Sequence, residues 1–246
     1  MGRSSRASAG MRMMRELRCW AALCLLGGSI AATAGDMPKA AWFPDPPAVK
    51  RFTWPGEPCE GCSRLRLREE WKTMAALAGL GEVRFLLAAS EANGQARSVA
   101  PDMVVLAPSA LNLPDCQLNF LVGHELAHIA QRHFDEDAHE LLILAGKPAG
   151  WTRSGNRAMS LLDGNFALAL RMSGTWQQQE WEADWVGSLL AAQACGCTLE
   201  KGALSYFRED VSHGGGLAAS HASNVGRMAL LMPFADSARR LTSRVY

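Results

Sequence analysis

The chain has 246 residues, of which 48% are hydrophobic and 20% are charged, with 25 basic residues against 24 acidic ones. This balance argues against nucleic acid as a general partner, because nucleic-acid-binding domains carry a clustered basic excess. The length and the hydrophobic content are sufficient for one domain with a sizeable core. The sequence shows no internal repeat of the kind that predicts a solenoid.

The first 34 residues have the pattern of a secretory signal peptide. Five arginines precede an apolar run over residues 20–30, and Ala-Thr-Ala at 32–34 is a small-x-small cleavage site. The run is short and glycine-rich for a membrane span, which needs about 20 apolar residues; an uncleaved anchor is the alternative. Cleavage would remove five Arg and Glu16, which leaves 20 basic and 23 acidic residues and a net charge of −3. The sequence thus predicts a periplasmic or secreted protein.

Residues 35–64 are predicted to form a proline-rich arm that precedes a single domain at 65–246. Six prolines lie between residues 38 and 58, which is typical of an irregular segment on a domain surface. We expect the aromatic side chains of the arm to dock on the domain: Trp42, Phe43, Phe52 and Trp54.

Five cysteines follow residue 34, an odd count that leaves at least one of them unpaired or intermolecular: Cys59, Cys62, Cys116, Cys195 and Cys197. Disulfides are the expected state in an oxidising compartment. Alternatively, the close pairs 59/62 and 195/197 together could supply a four-thiolate zinc site. The spacing leaves the disulfide pairing open.

Hydrophobic periodicity predicts several helices and a small sheet. In the first half of the chain, the predicted elements are a helix over 63–80 and two strands over 83–88 and 103–106, joined by a turn at Asn93-Gly94. Later in the chain they are an apolar segment between His133 and 146–148, helices over 156–172 and 175–194, a glycine-rich loop at 213–216, and a last helix from about Asn224.

A single H-E-x-x-H motif, His124-Glu125-Leu126-Ala127-His128, lies in a segment with helical apolar spacing. Positions i and i+4 of a helix lie one above the other, so both imidazoles can face one metal ion. Glu125 then projects beside the ion, where it can exchange protons with a water as general acid and base. A catalytic zinc ion needs a third protein ligand and keeps its fourth position for water or substrate.

Glu180 is the predicted third ligand of this metal site. Glu180 and Asp184 are four residues apart and share a helix face, whereas Glu182 points about 160° away from Glu180. Asp184 is predicted to hold the second ring nitrogen of either His124 or His128, because metal-bound imidazoles need such a partner. The alternative is that these acids form a solvated helix face.

Together these motifs resemble those of the HtpX and CaaX-prenyl-protease-like gluzincin metallopeptidases. The resemblance rests on the H-E-x-x-H motif, on Glu180-x-Glu-Ala-Asp184-x-x-Gly187, and on residues 220–228, a divergent copy of a His-Pro-x-x-x-x-Arg segment with Ala222 in place of the proline. It covers roughly residues 65–235 and is closest to the soluble periplasmic BepA-like branch. It implies an α+β, mainly helical, zincin-like domain with a small β-sheet, an active-site helix, one Zn2+ per chain and Glu180 as the third ligand.

The C-terminal segment offers donors for the oxyanion that forms during peptide hydrolysis: His221, Arg227 and Tyr206. His221 could also occupy the open metal position and keep an enzyme latent, or it could be an ordinary polar residue at a helix start. The remaining histidines that follow the H-E-x-x-H motif are expected at the surface: His133, His139 and His213.

The predicted function is that of an exported zinc metalloendopeptidase acting on unfolded or misassembled proteins. Its expected partners are protein or peptide substrates, bound as an added strand beside the small sheet, with envelope or membrane-associated proteins as further candidates. The alternative is a non-proteolytic or latent chaperone or assembly factor with a zinc-bound, peptidase-like fold. Glu125 favours the enzyme, because a structural zinc site closed by four ligands does not need it.

Overall fold

A computed structural model describes residues 43, 45–54, 62–88, 95–148, 150–209 and 223–242, with the side chains of the last helix described up to residue 235. All of these residues belong to one compact unit, Ala34–Tyr246. Within these ranges, no helix has both the length and the apolarity needed to cross a membrane. The predicted signal peptide lies outside the described residues.

The described chain is mainly helical and carries one small sheet, in agreement with the predicted α+β class. The strands are β1 (Cys62–Arg64), β2 (Arg84–Ala88), β3 (Ala96–Val99) and β4 (Met103–Leu106). The α-helices are α1 (Glu69–Leu77), α2 (Asp115–Gln131), α3 (His133–Leu144), α4 (Gly155–Met159), α5 (Phe166–Cys195), α6 (Ser205–Glu209) and α7 (Asn224–Thr242). Short 3-10 turns cover Pro108–Asn112 and Ser160–Leu162, and a π-helical turn covers Glu200–Leu204.

The four strands form a mixed sheet in the order β1-β2-β4-β3. Strands β2 and β4 are parallel, whereas β1 and β3 each pair with a neighbour in antiparallel fashion. All four residues of β4 are buried, as expected for a continuous apolar run in the middle of a sheet. The two predicted strands are therefore not joined by one turn, because β3 lies between them in the sequence. Strand β3 was missed since it is a polar edge strand with Arg97 exposed; Asn93-Gly94 lies outside the described residues.

The helix predicted over 63–80 is wrong in its first part. Residues 62–64 form β1, which belongs to the segment predicted as the arm, and α1 begins only at Glu69. The Leu65 backbone N–H donates to the Phe85 carbonyl at 3.0 Å, which continues the extended pairing. Leu65 and Leu67 therefore both pack on the core, two residues apart, as on one face of a strand. In a segment as short as this, a period of two cannot be distinguished from helical spacing.

The two helices predicted over 156–172 and 175–194 are replaced by the short α4 and the 30-residue α5. Gly174 does not interrupt α5, because Met172 before it and Gln179 after it are both buried against the rest of the protein. An isolated helical glycine costs only about 1 kcal/mol, which such packing offsets. Helix α5 ends at Gly196, whose φ of 66° is left-handed and suits a glycine C-cap.

The described cysteines do not form a four-thiolate site. Cys116 at the start of α2 is disulfide-bonded to Cys197, just after the end of α5, across 81 residues of sequence. Cys62 is also disulfide-bonded, and Cys195 is a free, half-buried thiol. The cross-link ties the start of α2 to the end of α5, and these two helices carry the H-E-x-x-H motif, Glu180 and Asp184.

The proline-rich arm docks on the domain through its aromatic side chains and its backbone. Phe43 and Phe52 are buried, while Trp42 lies outside the described residues. The Phe52 backbone N–H and the Trp54 indole N–H both donate to Asp135 Oδ1 on α3, at 3.0 and 2.9 Å. The arm therefore packs where α2 ends and α3 begins.

Candidate metal centre

Helix α2 carries the complete H-E-x-x-H motif through the centre of the protein. His124 and Glu125 are buried, as are all the other residues from Gln117 to Ala127. Such complete burial is possible because elements pack on several sides of α2, including α1, α5 and the sheet. The two histidines lie one turn apart, with their ring centroids 4.7 Å from each other.

Three side chains converge at one point, two from α2 and one from α5. The distance between Nε2 of His124 and Nε2 of His128 is 3.1 Å. Glu180 places Oε2 at 3.4 Å from the His124 nitrogen and Oε1 at 3.3 Å from the His128 nitrogen. A tetrahedral ion bound at about 2.0 Å has ligand–ligand edges of about 3.3 Å. His124, His128 and Glu180 thus have the spacing and the donor atoms of three ligands around one divalent metal ion.

Two glycines bring α2 and α5 close enough for this convergence. A Cβ atom added to Gly187 would lie 2.5 Å from the His124 backbone nitrogen, and one added to Gly123 would lie 2.7 Å from the Gly187 carbonyl oxygen. The two helix backbones are therefore in direct contact beside His124. This contact lets the short side chain of Asp184, one turn before Gly187, reach the ring of His124.

Asp184 holds His124 from behind. Its Oδ1 lies 3.0 Å from His124 Nδ1, and its side chain is fully buried. Of the two histidines that the sequence left open for Asp184, the structure places it against His124. The Nε of Arg227, on α7, donates to Asp184 Oδ2 at 2.7 Å, and its Nη2 donates to Oδ1. Arg227 Nη2 also lies 3.4 Å from Glu180 Oε2.

Arg227 therefore holds two carboxylates of the centre through its Nε and Nη2 atoms. Its guanidinium also lies over the ring of Phe207, at 4.5 Å from the centroid. These contacts make it a positioning residue for Asp184 and Glu180, and its predicted role as an oxyanion donor stays a prediction.

His133 faces His128, the second histidine of the cluster, and is not at the surface. It is 2% exposed, so the surface placement expected for it was wrong. Its Nδ1 lies 2.9 Å from Nδ1 of His128, and its Nε2 lies 3.5 Å from Oε2 of Glu182. On an uninterrupted helix, five residues would turn His133 about 140° away from His128. Arg132 breaks the helix with a left-handed φ of 61°, and this single residue redirects His133 toward the site.

The carboxylates give the centre a strong attraction for positive charge. Burial lowers the pKa of His124, but Glu180 and Asp184 outweigh burial and raise that pKa to about 10. Burial would raise the pKa of Glu180, but the two histidines lower it well below its usual range. Burial lowers the pKa of His133 to about 4, despite the opposing effect of Glu182. The centre therefore stabilises a cation next to Glu180 while His133 stays neutral.

The remaining predicted site residues have different positions. Glu125 is buried on α2 next to His124. Tyr206 is buried against Phe120, with ring centroids 5.6 Å apart, and its predicted oxyanion role stays a prediction. His139 lies half-buried on α3. His221, His213 and the glycine-rich loop lie outside the described residues.

Residues 64–233 match the sequence profile of Peptidase family M48. No curated protein and no solved structure matches the chain. Members of this family are metal-dependent peptidases, and the cluster of His124, His128 and Glu180 is a candidate site for the metal. The profile match includes α2, α5 and Arg227, which are the parts that build this centre. Because it spans well over half of the sequence, this protein belongs to Peptidase family M48, a family of metallopeptidases.

Proposed function

We propose that this protein is an exported zinc metalloendopeptidase that hydrolyses unfolded or misassembled proteins, like the soluble BepA-like branch of its family. The observation that carries the proposal is the convergence of His124, His128 and Glu180. The two Nε2 atoms are 3.1 Å apart, and the Glu180 carboxylate approaches the first through Oε2 at 3.4 Å and the second through Oε1 at 3.3 Å. Glu125, adjacent to His124 on the same helix, is also buried. Two imidazoles and one carboxylate form a typical catalytic zinc set, which keeps a coordination position open.

His124, His128 and Glu180 would hold the zinc ion, with Asp184 behind His124. A zinc ion held there would supply Lewis-acid chemistry at the carbonyl of the scissile peptide bond. Glu125 takes a proton from the attacking water and passes it to the leaving amine, as a buried carboxylate within hydrogen-bond reach can do. His221 and Tyr206 are candidate donors to the oxyanion.

An extended substrate segment would bind along β3. This strand lies at the edge of the sheet, with β4 on one side, and it also packs against α2. An added strand is the usual way for a sheet edge to bind unfolded chain, because backbone hydrogen bonds do not depend on the side chains. This arrangement supports unfolded protein as the substrate class.

Zinc content and casein hydrolysis, measured on the purified protein, test the proposal. We expect about one zinc per chain in the wild type and in Glu125→Gln, with hydrolysis in Glu125→Gln reduced at least about 100-fold. Glu180→Gln should lose both zinc and activity. Glu140→Gln, an acid on α3, is the matched control and should keep both. Absence of zinc in the wild type, or full activity in Glu125→Gln, would contradict the proposal, whereas zinc without turnover would support the chaperone alternative.

Export has a separate test. N-terminal sequencing of the protein recovered from the periplasm or the medium should find Gly35 as the first residue, as expected for cleavage after Ala34. A protein that stays in the cytoplasm with its first 34 residues would refute this part of the proposal and leave the metal site untouched.

A further inference from the structure

We propose that His133 is a positioning residue which, together with Glu182, sets the tautomer and the ring orientation of the metal ligand His128. The inference rests on the proposed metal-binding function of His128. His133 and Glu182 flank the centre and supply none of the three ligand atoms. His133 acts on the metal centre through its contact with His128.

His128, His133 and Glu182 lie one after another, leading away from the metal centre. His128 Nε2 faces the metal centre and lies 3.3 Å from Glu180 Oε1. On the opposite side of the same ring, Nδ1 lies 2.9 Å from Nδ1 of His133. Beyond His133, its Nε2 lies 3.5 Å from Glu182 Oε2.

One arrangement of protons on the two imidazoles is consistent with these contacts. A metal-ligating Nε2 carries no proton, so the proton of a neutral His128 must be on Nδ1. His128 Nδ1–H then donates to His133 Nδ1, which accepts because a neutral imidazole has one bare nitrogen. The proton of His133 is therefore on Nε2, the nitrogen that lies 3.5 Å from the Glu182 carboxylate. A carboxylate at the end of such a chain makes the ligating imidazole more basic.

The left-handed backbone of Arg132 holds His133 in this place. A left-handed conformation is uncommon for a residue other than glycine, and such residues concentrate at functional sites. The side chain of Arg132 stabilises it, with Nε donating to Asp135 Oδ2 at 2.9 Å and Nη2 donating to the Val49 carbonyl at 3.0 Å. The docked arm thus helps to maintain the turn that directs His133 toward His128.

The experiment compares zinc affinity, measured by competition with a chromophoric chelator, in the full-length protein and its variants. We expect His133→Leu, which removes the acceptor, to weaken zinc binding about 10-fold or more. His133→Asn places an amide oxygen near the position of Nδ1 and should recover most of the loss. His139→Leu, a histidine on the same helix, is the matched control and should bind zinc like the wild type.

Long-range ¹H–¹⁵N NMR of the zinc-loaded wild type reads the imidazole tautomers directly, and it decides the question even if His133→Leu does not fold. The proposal expects Nδ1–H on His128 and Nε2–H on His133. The reverse tautomer on His133, or equal zinc affinity in the wild type and both His133 variants, would overturn this inference and leave the proposed function intact. A wild type that binds no zinc would overturn both.

Discussion

The two histidines of the candidate metal centre are supported in different ways. His124 rests on a fully buried carboxylate, Asp184, which is paired with the guanidinium of Arg227. His128 rests on a neutral imidazole, His133, which is backed by Glu182 with a side chain 32% exposed. The first support is a buried ion pair. The second is a contact between two imidazoles, and the carboxylate behind it is partly exposed to solvent. Two equivalent histidines on one helix can therefore be held in place by interactions of very different strength.

Both supports nevertheless originate from the same helix. Asp184 and Glu182 belong to α5, on nearly opposite faces, and Glu180 lies on the Asp184 side. Helix α5 contacts both α2 and α3. Its Asp184 therefore reaches Nδ1 of His124 directly, whereas its Glu182 reaches Nδ1 of His128 only through His133. A change that moves α5 should therefore disturb both supports, whereas a change in one carboxylate should disturb only one.

Gly187→Ala should have the largest effect, because it pushes α5 away from α2. The added Cβ would meet backbone atoms of His124 at 2.5 and 2.8 Å, and backbone cannot yield as a flexible side chain does. We expect a loss of about 3 kcal/mol or more in the free energy of unfolding, together with loss of zinc. Urea denaturation and zinc content measure both effects.

Gly174→Ala is the matched control on the same helix. A Cβ at Gly174 meets nothing within 4 Å, so alanine should raise stability by about 0.5–1 kcal/mol through its helix propensity. Equal stability of the two alanine variants would refute the close-contact explanation.

Asp184→Asn should have the next largest effect, because it removes the charge of the carboxylate to which the buried guanidinium of Arg227 donates and leaves Glu180, at 3.4 Å, to balance that guanidinium. Breaking a buried ion pair from one side typically costs about 3–5 kcal/mol, and loss of the support for His124 should weaken zinc binding about 10- to 100-fold. A double-mutant cycle with Arg227→Met, followed by urea denaturation, measures the coupling. We expect the double variant to lose clearly less stability than the sum of the single variants; simple additivity would argue against the pair.

Glu182→Gln should have a smaller effect on the opposite support. Its carboxylate is partly solvated, and glutamine keeps an oxygen that can accept from His133, so zinc affinity should fall only a few-fold. Stability should change by less than about 1 kcal/mol. The same chelator competition measures the affinity, with Glu140→Gln as the control. A loss as large as that of Asp184→Asn would mean that both supports are ionic.

Asp137→Asn tests a third carboxyl group, which lies on α3. Asp184 is paired with a guanidinium, whereas Asp137 lies near Gln179 and Glu136. Burial raises the pKa of Asp137 to about 7, and its Oδ1 is buried without a hydrogen-bond partner. The unfolded chain ionises near its ordinary pKa of about 4, so Asp137 lowers the stability progressively from pH 4 to pH 7. We expect Asp137→Asn to raise the melting temperature at pH 7.5 and to change it little at pH 4.5.

Asp163→Asn, which alters an exposed aspartate in a turn, is the control for this measurement. It should leave the melting temperature unchanged at both pH values. A melting temperature of Asp137→Asn below that of the wild type at pH 7.5 would show that the ionised carboxylate stabilises the fold.

The parts of the fold that follow from local patterns could be predicted from the sequence. Strand β4 has the predicted bounds 103–106, since a short, continuous apolar run needs burial on both faces. The last helix begins at Asn224, as predicted. The single α5, the edge strand β3 and the Cys116–Cys197 disulfide could not be predicted in the same way, because each depends on what packs against it from distant sequence.

For the metal centre, the sequence by itself determined that His124 and His128 share one face of a helix and that Glu180 and Asp184 share another, since helical spacing is a local property. Only the tertiary structure decided which histidine Asp184 supports, because that depends on the contact between Gly123 and Gly187. It also decided that His133 faces His128, since one left-handed residue, Arg132, redirects the chain. Residue spacing determines which side chains share a face of one helix. Which side chains of two helices come into contact depends on backbone contacts and on single dihedral angles, and sequence periodicity encodes neither.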